Sequence, residues 1–131
     1  MKFQYSAGGV VIKDNQILLS QHSQHHGWVF PKGLIDEKET KEHAALREVK
    51  EEVGVDGKII RALNPVTYWY VMEGEKIRKT VYYFIMEYAG GDISKHDHEM
   101  EKVEWLPKEK VEERLTYDSD KIVWNEVKNL I

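Results

Sequence analysis

The chain has 131 residues, 41% of them hydrophobic and 32% charged, with a formal net charge of −4 and no cysteine. That length suits one domain, 1–131, around a single core, and the missing thiols exclude disulfides and thiolate zinc sites. The mildly acidic balance argues against a stable nucleic-acid or membrane partner, which a basic stripe usually serves, and Met1–Tyr5 opens no leader-like apolar run, so a soluble cytoplasmic protein is expected.

In chain order, Ala7–Lys13 and Gln16–Gln21 read as strands joined by a turn at Asp14-Asn15. A polar loop, Ser23–Gly27, leads into Trp28-Val29-Phe30-Pro31-Lys32-Gly33, where a short apolar run ends in residues that turn the chain. Glu39–Val53 is the clearest helix, with Ala45, Leu46, Val49 and Val53 as its apolar stripe and Gly54 where a left-handed cap belongs. Lys58–Leu63, Val66–Met72 and Ile77–Tyr88 read as strands. In the last, Val81, Tyr83 and Ile85 share one face and Tyr82, Phe84 and Met86 the other, which predicts a central position in the sheet. A flexible loop is expected over Ala89–His98, then a strand near Val103–Leu106, a short helix opened by Pro107, and an amphipathic helix over Ser119–Leu130. Strands interleaved with helices imply the α/β class, a mixed sheet covered by helices.

The helix carries the chemistry. At about 100° per residue, Glu48 and Glu52 lie about 40° apart and Glu51 about 60° to the other side of Glu48. Three carboxylates therefore share one face, opposite the apolar stripe, and the small Ala44 on that face is expected to leave room for something to approach. On a bare helix this is unfavourable: like charges at i,i+4 repel, and carboxylates near the C-terminus oppose the helix dipole. Arg47 can pair with Glu51 but cannot neutralise three charges. Hard divalent cations can, and magnesium typically bridges one or two carboxylates to substrate phosphates.

Gly33, Glu39, Arg47-Glu48-Val49, Glu51-Glu52 and Gly54-Val55 stand at the fixed spacings of the Nudix hydrolase signature, or box, which the chain therefore resembles. Average residue usage puts a chance match at about one in a million. The resemblance implies an α/β/α sandwich with a mixed sheet, in which Glu48, Glu51, Glu52 and the Gly33 carbonyl bind Mg2+, with Mn2+ able to substitute, while Glu39 and Arg47 hold the loop and helix in shape. It also implies attack of water on one phosphorus of a nucleotide polyphosphate. Catalysis is thereby assigned to Glu52, Glu48 and Arg47. Glu99, in the loop before a later strand, matches a loop glutamate of the diadenosine tetraphosphate hydrolases and is a candidate base or metal ligand.

Trp28–Gly33 also resembles those tetraphosphate hydrolases, and Tyr70 stands where that subfamily carries a tyrosine. Asymmetric cleavage of diadenosine tetraphosphate to ATP and AMP is therefore the expected reaction. Lys32 would offset polyphosphate charge, Tyr70 and Tyr82 would clamp an adenine, Tyr82 because Lys79–Tyr83 resembles the substrate-facing strand of those hydrolases, and His43 and His25 would meet a phosphate if the loop folds over the site. The alternatives are a sanitising pyrophosphohydrolase of nucleoside triphosphates and a non-catalytic nucleotide sensor, although a sensor would be expected to lose box glutamates that this chain keeps. Trp28, Trp105 and Trp124 are assigned to packing. Monomer and homodimer both remain open.

Overall fold

The computed structural model describes residues 1–131. Eight strands form one sheet: β1 (Lys2–Lys13), β2 (Gln16–His22), β3 (Trp28–Val29), β4 (Lys32–Leu34), β5 (Val55–Ala62), β6 (Val66–Met72), β7 (Glu75–Gly91) and β8 (Met100–Pro107). The helices are α1 (Lys41–Val53), α2 (Val111–Arg114) and α3 (Asp118–Lys128). β1 and β7 run parallel at the centre, and every other pairing is antiparallel, so the sheet is mixed.

The alternation along β7 explains the layers. Val81, Tyr83 and Ile85 enter a core under α2 and α3, whereas Phe84 and Met86 enter a second core under α1. One strand thus feeds two apolar faces, as its double-sided pattern requires. Trp124 is buried in the first core, while Trp28 and Trp105 pack half-buried against the cores' edges. No helix is long and apolar enough to cross a membrane.

α1 is cut at both ends by its sequence. The Thr40 hydroxyl accepts from the His43 amide at 3.1 Å, so the helix begins at Lys41 and Glu39 stays outside it. Gly54 ends it at φ 82°, a left-handed conformation suited to glycine. Two expectations change here. Ala44 leaves no opening on the carboxylate face: it is fully buried with Ala7, and its small side chain serves the close approach of helix to sheet. Ala89–His98 is not an irregular loop, because β7 runs on to Gly91 and Asp92 caps a 3₁₀ turn over Ile93–Lys95. The Asp92 amide also donates to the Gly54 carbonyl at 3.1 Å, which ties this turn to the end of α1.

Candidate active site

Arg47 is the hub of the carboxylate helix. Its Nε and Nη2 donate to Glu39 at 2.7 and 2.8 Å, its Nη1 donates to Glu48 at 2.7 Å, and the same nitrogen reaches Glu51 at 3.2 Å. Nη2 also donates to the Leu34 carbonyl at 3.1 Å, which fixes the loop after β4 against the helix. The Arg47 hydrogen bonds hold Glu39 down at about 2, helped by the Asp36 amide. The same network raises Arg47 further above its ordinary value, with Glu39 the largest cause.

Glu52 is in the opposite situation. Its Oε2 accepts from the Lys32 amide at 2.6 Å, and no side-chain donor reaches it. Burial pushes its carboxyl up to about 8 against the pull of the Lys32 charge. Burial also raises Glu48, opposed by Arg47. Next to them stands Gly33, paired with Ala7 across β4 and β1; a Cβ at this glycine would collide with the Glu48 carboxylate.

These residues fit a magnesium ion. The donor set is all oxygen, the glycine leaves the Glu48 carboxylate against the loop, and Glu52 is a buried carboxylate lacking a cationic side-chain partner. No three acidic or histidine side chains converge into a ready-made cage, because Glu48 and Glu51 turn toward Arg47 and Glu52 toward the Lys32 amide.

Beside the box opens a cleft of ≈ 740 Å³ between β6, β7, the β2–β3 loop and the start of α3. Lys32 and Lys79 line it, as do Tyr68, Tyr70, His22, His25, Tyr117 and Asp120. Lys79 is half-buried, and burial together with the Lys32 charge lowers it to about 8. His22 and His25 stack with centroids 4.4 Å apart, and the Tyr117 hydroxyl meets His25 Nδ1 at 2.7 Å, so one wall is a continuous set of rings. Burial lowers His25 as well, which favours its neutral form.

Asp120 is 4% exposed. Its Oδ1 accepts from the Phe30 amide at 3.3 Å and from the Tyr83 hydroxyl at 3.5 Å, and Oδ2 has no protein partner. Burial pushes this carboxyl up to about 6. The amides of Phe30 and Lys32 thus address Asp120 and Glu52 respectively, which sets the two carboxyls at the two ends of one short extended segment, about 7 Å of backbone.

Of the residues singled out in the sequence, Glu48, Glu51, Glu52, Arg47 and Gly33 meet at the box, and Lys32 and Tyr70 line the cleft. Tyr70 spends its hydroxyl on Gln4 Oε1 at 2.6 Å. Three others lie elsewhere. Tyr82 sits on the α1 side of the sheet with the Lys41 ammonium 4.6 Å from its ring centroid, because strand alternation turns it away from Val81 and Tyr83. His43 is exposed and bonds Glu39 at 2.7 Å. Glu99 is exposed and its carboxylate has no hydrogen-bond partner; its loop neighbour Asp97 donates its amide to the Glu52 carbonyl at 3.4 Å, and the Asp97 charge raises Glu52 further.

Sequence alone assigned no role to Lys79, Asp120 or Asp97. Lys79 had a signal, as the one cation on the otherwise apolar face Ile77, Val81, Tyr83. Asp120 had another: it occupies an apolar-stripe position with Val123, Trp124 and Val127.

Residues 2–124 match the family model described as NUDIX domain. The chain belongs to the NUDIX domain family. Among curated NUDIX-type relatives, it is 37% identical over 126 residues to a protein of Mycobacterium tuberculosis (strain CDC 1551 / Oshkosh) that bears the mutator-protein name MutT4, covering 88% of this chain and 51% of that one. It is 34% identical over 108 residues to an 8-oxo-(d)GTP phosphatase of Mycolicibacterium smegmatis, covering 82% of this chain and 32% of that one. The chain therefore spans about half or less of these relatives' length. The solved structure of a mutator MutT protein from Bacillus halodurans superposes with a TM-score of 0.81 at 26% identity, covering 95% of this NUDIX chain and 81% of that one. The α/β sandwich is thus shared with known members of the family.

Proposed function

We propose that this chain is a magnesium-dependent pyrophosphohydrolase that splits a phosphoanhydride of purine nucleoside triphosphates of the guanine type. The observation that carries the substrate class is Asp120, whose free Oδ2 belongs to a carboxyl lining the cleft. A guanine edge offers an N1–H and a 2-amino group to a carboxylate, whereas adenine offers only its 6-amino group. The stacked rings of His22, His25 and Tyr117 supply a flat wall for the base. The 8-oxo-(d)GTP phosphatase name of one relative supports the same reading.

Glu48, Glu51, Glu52 and the Gly33 carbonyl would hold the magnesium. When bound, the ion supplies charge stabilisation at the phosphoryl oxygens and lowers the pKa of water. The chain's own residues do the rest. Lys32 and Lys79 stand between box and base wall, where two cations offset polyphosphate charge. Lys79, held near 8 by burial, gains from an anionic partner and orients it. Arg47 holds Glu48 and Glu51 and the Lys32 amide holds Glu52, so each carboxylate is kept beside the Gly33 loop, from which it would turn onto the ion.

A second reading, asymmetric cleavage of diadenosine tetraphosphate to ATP and AMP, is favoured by Lys32 and Tyr70 lining one cleft. A panel of dGTP, 8-oxo-dGTP, ATP, ADP-ribose and diadenosine tetraphosphate, assayed with magnesium, separates the two. The guanine nucleotides should show the highest kcat/KM. If diadenosine tetraphosphate leads instead, the second reading replaces the first.

A further inference from the structure

The α1 side of the sheet is only partly covered by α1. Beyond the helix, β1 and β6 present Phe3, Tyr5, Trp69 and Val71, which are 53%, 47%, 49% and 68% exposed, on either side of β7. Strand register puts them in rows. Phe3, Arg78 and Trp69 are cross-strand neighbours, as are Tyr5, Thr80 and Thr67, and Val71 faces Lys76. The Arg78 guanidinium lies 5.9 Å from the Phe3 ring and 5.9 Å from the Trp69 ring, and the Lys76 ammonium lies 4.7 Å over Trp69. A third cation, Lys41, lies over Tyr82. Tyr82 is in register with Ala7, and Ala7 with Gly33, so the rows continue up to the box loop.

No carboxylate belongs to these rows, although the whole chain carries a net −4. The acids lie elsewhere on the chain, while this part of the sheet face pairs half-exposed rings with Arg78 and Lys76. Rings interleaved with basic side chains on an open surface combine the two interactions that bind a flexible polyanion of aromatic units. Bases stack on the rings without regard to sequence, and the cations meet phosphates. A protein partner of the apolar kind would leave Arg78 and Lys76 buried against it without counter-charge, at a cost. Net charge alone argued against a nucleic-acid partner because it averages over this local order.

We propose that this face docks single-stranded nucleic acid, with bases on Trp69, Phe3 and Tyr5 and phosphates on Arg78 and Lys76. The spacing suits a short segment. Adjacent aromatics on one strand are about 7 Å apart, and Trp69 and Phe3 are separated by two strand spacings, about 10 Å. A site of about four nucleotides, at the lower end of the range for stacking platforms, follows.

The test uses the full chain and fluorescein-labelled oligouridylate and oligodeoxythymidylate ten-mers with 5′-hydroxyl ends, which carry no phosphoanhydride and therefore do not depend on hydrolysis. Anisotropy at low salt should show both single strands binding more tightly than a blunt duplex of equal length. Trp69→Ala and Phe3→Ala should each weaken binding by about tenfold, and Arg78→Gln should reduce the slope of log affinity against log salt by about 0.7. Thermal melts of the variants serve as the control for folding. The proposal is overturned if neither strand binds at low salt, or if correctly folded Trp69→Ala and Phe3→Ala bind like the parent. It is also overturned if sedimentation shows the parent self-associating through this face, Trp69→Ala being monomeric and neither protein holding nucleic acid, which would assign the face to a second copy.

Discussion

Arg47 finds its carboxylate partners between Asp36 and Glu51, within one loop and one helix, whereas Asp120 accepts from the Phe30 amide across ninety residues of chain. The box is a local unit assembled by spacing. The cleft is a product of the whole fold, drawing on the β2–β3 loop, β4, β6, β7 and α3. The two regions also treat charge differently. In the box an arginine pairs with Glu39, Glu48 and Glu51, while Glu52 beside it and Asp120 and Lys79 in the cleft are left by burial with weakened charged forms. Chemistry common to a family belongs with the local unit, and substrate choice belongs with the part that tertiary packing can change residue by residue.

The largest effect should come from breaking the box at Glu52. Glu52→Gln keeps the shape and removes the charge, and turnover with magnesium should fall by about 10³-fold. Stability should move the other way. Because the folded carboxyl is raised to about 8 from an ordinary 4.5, its contribution is fully present below about 4.5 and is lost as pH rises through 8. The metal-free Gln variant should therefore melt higher than the parent at pH 8, with the gap closing toward pH 4.5. A lower melting temperature at pH 8 would remove burial as the cause of the raised carboxyl.

Arg47→Met should cost less in rate and more in fold. Loosening the three carboxylates should lower kcat/KM by about 100-fold, the scale expected when catalytic groups lose their positions. The melting temperature should drop as well, because Glu39, Glu48 and Glu51 lose their common donor. Unchanged melting with unchanged activity would show that the hub positions nothing.

In the cleft, Asp120→Asn should leave ATP turnover nearly intact while cutting the preference for guanine nucleotides by about 10-fold, within the range for one lost base contact. That preference should itself fade in the parent as pH drops through about 6, where Asp120 takes up its proton. The linked stability has the opposite trend: the contribution from Asp120 is full below pH 3.8 and is lost by about 6. For so buried a carboxyl, the rise from 3.8 to about 6 is worth about 3 kcal/mol, and the Asn variant should lack that slope in a pH series of denaturant melts. The smallest effect is expected outside the cleft: Tyr82→Ala should leave KM close to the parent value, while Tyr68→Ala should raise it.

How far the sequence spoke for itself follows the same division. The helix with its cap at Gly54, the double-sided β7 and the box were legible because each rests on near-neighbour periodicity. Resemblance drew Tyr82 toward the substrate, and His43 was to meet a phosphate if the loop folded over the site; strand alternation leaves Tyr82 on the α1 side, and His43 stands exposed against Glu39. Asp120 and Lys79 went unseen because a polar residue in an apolar stripe shows only that something is unusual, and its partner, ninety residues off for Asp120, is set by the sheet. Residue spacing could not show that β4 and α3 would meet across one cleft.

The central claim is that a box held by Arg47 cleaves what a cleft ending at Asp120 selects. Its most direct measurement is product analysis by ion chromatography of the full chain with dGTP, 8-oxo-dGTP, ATP and diadenosine tetraphosphate, with magnesium and after chelation. The guanine triphosphates should yield nucleoside monophosphate and pyrophosphate, in preference to ATP, and no products should form after chelation. Turnover that persists without divalent metal, or none from any substrate with magnesium or manganese present, would contradict it.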